Sequence, residues 1–285
     1  MAAVRRLNSN AYLRKARQEI AEWESGKRGY LARFGDFALN PAARLTASVV
    51  PASVEKTACQ VIEKTLRLTA HAGKFSIDVK GITVQRLKKL GRKKALGLQL
   101  KAFDDVAQRL WTAHCGYAAA EGAATGMIGI AGLIADIPLT LSIAIRLIRS
   151  IAFSYGYSAA HPPETDYVLH VLRIASTNED DIRLETLGLL KRLESTLAEE
   201  AALQKTSGKA RKKSRLAKGL QYFSLREYAK SLAIGLVKRR ALQLLPVAGA
   251  VTGAAFNAAY ARDVGRTAYM CYRRRFIGEH ELAGE

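Results

Sequence analysis

Two long stretches with almost no formal charge constrain the fold of this chain more than any other feature of its 285 residues. Residues 110–145 carry only Glu121 and Asp136 as formal charges, and residues 241–261 carry none. Both stretches are rich in glycine and alanine, and no apolar–polar alternation of period two persists along the chain. The sequence therefore predicts an all-α protein, a multi-helix bundle in which two glycine/alanine-rich apolar helical segments pack together.

Glycines at four-residue spacing allow two helix backbones to approach closely, and each apolar stretch contains such a series. The predicted packing residues are Gly122, Gly126 and Gly129 in the first stretch, and Gly249 and Gly253 in the second. Small residues pack helices in soluble proteins as well as in membranes, so the spacing leaves both environments open. Basic and aromatic residues bound both stretches, as at membrane interfaces, and this favours the membrane.

Asp136, Ile137 and Pro138 interrupt the first stretch, and a proline usually ends or kinks a helix. We expect a helix, a turn at residues 135–138 and a returning helix, with Asp136 as the N-cap of the second arm. Neither arm reaches the about 20 apolar residues that span a bilayer. Such a hairpin would enter the membrane without crossing it.

The chain is strongly basic, with 45 Lys and Arg against 25 Asp and Glu and a net charge of +20. Two runs, residues 80–101 and 205–218, carry basic residues and no acidic residue, and residues 273–275 form a further cluster of three arginines. A basic residue near an anionic leaflet contributes about 1 kcal/mol, so one run could dock the protein on a membrane, although a solvated loop would have the same composition. The predicted lipid-surface residues are Lys88, Lys89, Arg92, Lys93, Lys94, Arg211, Lys212, Lys213 and Arg215.

The polar residues within and beside the apolar stretches form a candidate polar cavity for a lipid headgroup or a proton. Its members are Glu121, Asp136, Arg146, Arg149 and Asn257. The alternative is structural, because an Asp136 that only caps a helix needs none of the others. Glu121 is too far along its arm to pair with Arg146 across the expected hairpin, and Arg149 is the better candidate.

Motifs of the common enzyme classes are absent from the sequence. There is no GxSxG elbow, no HExxH and no Walker P-loop, and the five histidines are scattered, so we predict no catalytic residue, no metal and no cofactor. The three cysteines form no CxxC pair, which indicates a reducing compartment. The first residues lack the apolar core of a signal peptide, so we do not expect a secreted protein.

Two segments resemble the EcsC family of bacterial proteins. The first contains Glu121-Gly122, the glycine series, Asp136-Ile137-Pro138, Arg146, Tyr155-Gly156-Tyr157 and Glu164; the second contains Pro246, Gly249-Ala250, Gly253-Ala254, Asn257, Ala268 and Tyr272. The resemblance covers most of the chain. It implies a helical, membrane-associated fold and does not imply a reaction.

These observations predict an N-terminal helical region with a basic linker (residues 1–94) and an EcsC-like glycine-rich core (95–285), together one continuous domain. We expect a non-enzymatic protein on the cytoplasmic face of the membrane, peripheral or partly inserted, which binds anionic lipid and assists an envelope or transport process with a membrane or transporter protein. One alternative is a lipid or peptide hydrolase that uses Glu121 and Asp136. A nucleic-acid binder is the other; few aromatic residues interleave with the basic runs, which disfavours it.

Overall fold

The computed structural model of the chain is helical throughout its described ranges, which are residues 2–26, 52–71, 95–125, 129–157, 162–177, 179–207, 225–240 and 249–282. These ranges contain eight helices and no strand: α1 (Ala2–Glu24), α2 (Ala52–His71), α3 (Leu96–Thr125), α4 (Gly129–Ser154), α5 (Pro162–Ser176), α6 (Asp180–Ser207), α7 (Leu225–Arg240) and α8 (Gly249–Leu282). The predicted all-α class is confirmed. The predicted lipid-surface residues lie outside the described ranges.

The bundle is built around α8, which packs most extensively on α3 and also contacts α4 and α5. The flanking helices bury apolar stripes at helical spacing, as α1 does with Ala16, Ile20 and Trp23. Burial of such stripes, rather than intrinsic propensity, supplies most of the stability of helices in proteins. α1 packs on α3 and α8, and α2 packs on α4 and α7, so both helices before the predicted boundary at residue 94 contact helices after it.

Glycines bring α3 into direct backbone contact with α8. A Cβ atom added to Gly122 would lie within 2.3 Å of the Gly253 carbonyl oxygen, a separation that no side chain tolerates. Further along the same interface, the ring of Trp111 occupies the space that a side chain at Gly265 would need. The predicted packing of the two apolar segments is therefore confirmed. Gly126 lies outside the described residues. Gly129 and Gly249 lie in described helices, but their surroundings are not described.

The expected turn at residues 135–138 is wrong, because α4 runs without a break from Gly129 to Ser154 with Pro138 in its interior. Asp136 is therefore not an N-cap, and the hairpin expected at this position does not form. An interior proline costs about 3 kcal/mol. Packing offsets that cost, because Ile137 and Leu141 on either side of Pro138 are fully buried.

A glycine in a left-handed conformation ends α4. Gly156 adopts a left-handed conformation (φ +88°), which a residue without a side chain reaches at no steric cost. The Tyr157 N–H donates to the Ala152 carbonyl at 3.0 Å, and the Gly156 N–H donates to the Phe153 carbonyl at 3.0 Å. These bonds satisfy carbonyl groups that the helix end would otherwise leave without partners.

Candidate functional site

A polar contact adjoins the closest approach of α3 and α8. The Asn257 side-chain amide donates to Glu121 Oε2 at 2.5 Å, and its nitrogen also borders the space beside Gly122. The absence of side chains at Gly122 and Gly253 is what allows α3 and α8 to come this close here. Two of the predicted cavity residues, Glu121 and Asn257, are thus brought together.

A small cleft, partly open to solvent, lies beside this contact. Its lining consists of Ala118, Glu121, Thr140, Ile143, Ala144, Asn257, Tyr260 and Ala261. Thr140 connects the cleft to a third predicted residue, since its hydroxyl donates to Asp136 Oδ2 at 3.1 Å. The enclosed volume of the cleft is only about 10 Å³, which is about the space of one water molecule and far below that of typical pockets for drug-sized ligands.

The two predicted arginines are not placed in the lining of this cleft. Arg146 is exposed on α4 and lies near His114: burial lowers the pKa of His114, and the positive charge of Arg146 lowers it further. Arg149 is buried and lies near Tyr272; burial lowers the pKa of its guanidinium, and Tyr272 raises it. The structure therefore associates Glu121, Asn257 and Asp136 with one cleft and places the arginines elsewhere.

The three consecutive arginines Arg273, Arg274 and Arg275, called the arginine cluster below, are the largest departure from the sequence analysis. They were grouped with the basic surface runs, and that interpretation is wrong. The side chains of Arg273 and Arg275 are 2% and 7% exposed, and each member of the cluster pairs with at least one carboxylate from another helix. The partners are Glu19 and Asp104 for Arg273, Glu24 and Glu194 for Arg274, and Glu164 and Glu279 for Arg275.

Asp104 is the most enclosed acid of this network, with no exposed surface. Arg273 Nε lies 2.9 Å from its Oδ2, which also accepts a hydrogen bond from the Tyr12 hydroxyl at 2.6 Å, and the Tyr155 hydroxyl donates to Oδ1 at 2.5 Å. Burial raises the pKa of this carboxyl, while Arg273 and the tyrosine hydroxyls lower it. The sequence signal that points to this network is weak: three arginines among the aromatic residues Tyr269, Tyr272 and Phe276.

Arg275 is held in the same manner on the other side of α8. Its guanidinium lies 2.8 Å from Glu164 and 2.8 Å from Glu279, and it stacks over the ring of Tyr157 at 3.9 Å. The Tyr272 hydroxyl donates to the second oxygen of Glu164 at 2.8 Å. Arg274 makes a bidentate pair with Glu194, and Arg275 bridges two carboxylates, so planar guanidinium groups connect α8 to its neighbouring helices.

Metal chemistry finds no support in the part of the chain that the structure describes, where no three His, Cys, Asp or Glu residues are grouped as ligands. His170 is instead a partly buried side chain on α5 that is neutral near pH 7. Burial lowers its pKa to about 4, and the positive charge of Arg173 acts in the same direction. Its Nδ1 atom has no hydrogen-bond partner among the described residues.

The burial of His170 predicts a specific loss of stability in acid. In the unfolded chain a histidine has a pKa of about 6.5, so the folded state binds fewer protons between pH 6.5 and 4, and stability falls as the pH decreases through that range. We expect wild type to lose up to about 3 kcal/mol more than His170→Gln between pH 7 and pH 4, measured by urea unfolding. Asp166, whose pKa burial raises to about 6, acts in the opposite direction in both proteins, so only the difference between the two curves is informative. Parallel curves would contradict the prediction.

Comparison with known proteins agrees with the motifs around this cleft. YdbA of Bacillus subtilis (strain 168) is 22% identical over 268 residues, which covers 92% of each chain. Protein EcsC of the same organism is 29% identical over 194 residues, or 68% of this chain and 71% of that one. No solved structure matches the chain significantly. A family model described as the EcsC protein family matches residues 14–277, which include Glu121, Asp136 and Asn257, and the chain belongs to that family.

Proposed function

We propose that this protein is a non-enzymatic, membrane-associated helical protein that binds anionic lipid surfaces. The observation that carries the proposal is the net charge of +20, with basic residues concentrated in the runs at residues 80–101 and 205–218. The arginine cluster is paired inside the bundle, so it does not contribute to this surface charge. A surplus of this size attracts polyanions such as an anionic leaflet.

The apolar character of α4 gives the proposal a second support. Residues Ile134–Ser154 are long and apolar enough to cross a membrane, and they are the one segment of this kind in the described ranges. Two-thirds of the segment is buried among other helices, as in the core helix of a soluble protein, so we do not propose that it spans the bilayer. The protein is proposed to act at the cytoplasmic face, beside a membrane or transporter protein that it assists.

The proposal predicts salt-sensitive binding to vesicles. The protein should float with vesicles that contain an anionic phospholipid and should bind vesicles of neutral phosphatidylcholine weakly. Raising the salt from about 0.1 M to about 1 M shortens the Debye length from about 10 to about 3 Å, so binding to the anionic vesicles should fall steeply. Flotation at both salt concentrations measures this.

Two sets of three charge-removing substitutions provide a matched comparison, and neither set is expected to disrupt the described helices. Replacing Lys212, Lys213 and Arg215 by Gln should weaken binding to anionic vesicles, whereas replacing the exposed Lys15, Lys191 and Arg192 by Gln should weaken it less. Equal binding of wild type to neutral and anionic vesicles would contradict the proposal. Preferential binding to RNA or DNA over anionic vesicles would favour the nucleic-acid hypothesis instead.

The hydrolase alternative depends on Glu121 and Asp136. The structure associates both residues with the cleft, Glu121 directly and Asp136 through Thr140. The hydrolase alternative would be favoured if Glu121→Gln removed a cellular function while vesicle binding and thermal stability stayed unchanged.

A further inference from the structure

One end of the bundle exposes almost no charge on three helices at once. The exposed residues of α3 beyond Arg109 are all uncharged and follow one stripe: Thr112, Ala113, Gly116, Tyr117, Ala120 and Ala124. Among residues 134–145 of α4, for which the structure describes exposure, Ala135 and Leu139 are the exposed side chains, and the partly exposed ones, Ile143 among them, are also uncharged. α8 carries no charge before Arg262. The two acids of this end do not lie on the exposed stripes, since Asp136 is buried and Glu121 is partly buried in contact with Asn257.

The three arginines that end these uncharged segments lie at a similar level of the bundle. Arg146 is close to His114, and Arg262 is close to Cys115, the next residue of α3: burial raises the pKa of the Cys115 thiol, and the positive charge of Arg262 lowers it. Arg109 lies between one and two turns away on the same helix, and all three arginines are exposed. The arrangement is a band of positive charge around one end of the bundle with an uncharged surface beyond it.

The dimensions of this end match one leaflet of a bilayer. The distance along α3 from Cys115, the level of Arg262, to Ala124 is about 14 Å, and from Arg146 to Ala135 along α4 it is about 16 Å, at about 1.5 Å per residue. The hydrocarbon core of one leaflet is about 15 Å thick. With the arginines at the phosphate groups, Ala124 and Ala135 reach into one leaflet and do not pass through it. Trp111, about 3 Å along α3 from Arg109, then lies near the interface, where aromatic side chains are enriched, and Tyr117, about 12 Å along α3 from Arg109, lies within the leaflet.

We infer that this end of the bundle, formed by the end of α3 and the beginnings of α4 and α8, inserts into one anionic leaflet with Arg109, Arg146 and Arg262 at the headgroups. The inference rests on the proposed function and adds the surface and the depth. Positive charge around an uncharged surface fits an anionic leaflet better than a neutral apolar partner, because arginine pairs with phosphate in bidentate geometry. α2 also packs on α4 and carries charges, so the surface is limited to the side formed by the exposed stripes.

Two exposed leucines offer a matched test. Leu139 lies within the proposed surface and is 48% exposed, whereas Leu184 lies on α6 and is 59% exposed. We expect Leu139→Asp to reduce partitioning into anionic vesicles by about tenfold, because a buried Leu contact is lost and a negative charge is placed in the leaflet. Leu184→Asp should bind as wild type does. Both variants should keep the wild-type melting temperature, since both side chains are exposed.

Depth is measured separately with a fluorescent probe. In a variant with Cys59→Ser and Cys115→Ser, a polarity-sensitive dye on Leu139→Cys should shift to the blue and be quenched by brominated lipid, and a dye on Leu184→Cys should not. If wild type binds vesicles but the two Asp variants bind equally, or if neither dye responds, the inference is overturned and the proposed function stands. If Leu139→Asp only splits a wild-type dimer, the surface is a self-interface and the inference is likewise overturned. Wild type that binds no anionic vesicle overturns both.

Discussion

Replacing Arg273 by Met is expected to destabilise the protein by about 3–5 kcal/mol, because Asp104 would remain buried without its cation. Glu19 would also lose this partner, and the rings of Tyr12 and Tyr269 would lose the guanidinium that lies 5.5 and 5.1 Å from their centres. Urea or thermal unfolding measures the effect. The exposed pair between Arg67 and Glu63 is the control, and Arg67→Ala should change stability by less than about 1 kcal/mol.

A second substitution separates charge burial from loss of packing. In wild type, Asp104→Asn should destabilise the fold, because it leaves the positive charge of Arg273 with less compensating negative charge. In the Arg273→Met protein the same substitution should stabilise, because it removes an uncompensated buried charge. A reversal of sign within one double-mutant cycle is therefore expected. If Asp104→Asn destabilises both backgrounds equally, the ion pair does not carry the energy assigned to it.

Gly122→Ala should destabilise the fold, although alanine is the better helix former. The new Cβ would lie 2.3 Å from the Gly253 carbonyl oxygen and 2.8 Å from Asn257 Nδ2, so α3 and α8 must move apart. Overpacking of this kind costs about 1–3 kcal/mol. Gly116 lies on the same helix with open space around its Cα, so Gly116→Ala should stabilise by about 0.5–1 kcal/mol.

The two alanine variants form a matched pair, because they differ only in what the added methyl group meets. Thermal unfolding should place the Gly122→Ala transition below wild type and the Gly116→Ala transition above it. Equal shifts in the same direction would contradict the close approach of α3 and α8. Loss of the hydrogen bond between Asn257 and Glu121 should accompany the destabilised variant, since both contacts depend on the same crossing.

The spacing of residues along the sequence predicted those contacts that depend on the helical repeat alone. The glycine series identified the interface between α3 and α8, because the four-residue spacing of glycines follows from the helical repeat. The turn at Pro138 was predicted wrongly because the cost of an interior proline is local, whereas the burial of Ile137 and Leu141 that offsets it is tertiary.

The arginine cluster shows why charge is harder to interpret from a sequence. A cluster of basic residues has the same composition whether it lies on the surface or in the interior of a protein. The difference lies in whether acidic residues from elsewhere in the chain pair with it. Here those acids come from widely separated places such as Glu19, Asp104 and Glu194, which no short window connects. Within the candidate cavity, the contact between Glu121 and Asn257 follows from the predicted packing of α3 on α8. The expected positions of Arg146 and Arg149 depended on a hairpin that does not form.

The ion pairs between α1 and α8 join residues that are far apart along the sequence, and this has a consequence for folding during translation. Arg273 and Arg274 follow their partners Glu19 and Glu24 by 254 and 250 residues. At about 5–20 residues per second, a ribosome takes about 12–50 seconds to make that interval. During this time α1 can meet α3, but Asp104 still lacks its cation, so the native arrangement of α1 cannot be completed. α1 therefore reaches its complete native set of contacts only after Arg273 and Arg274 have been synthesised, long after Ile20 and Trp23.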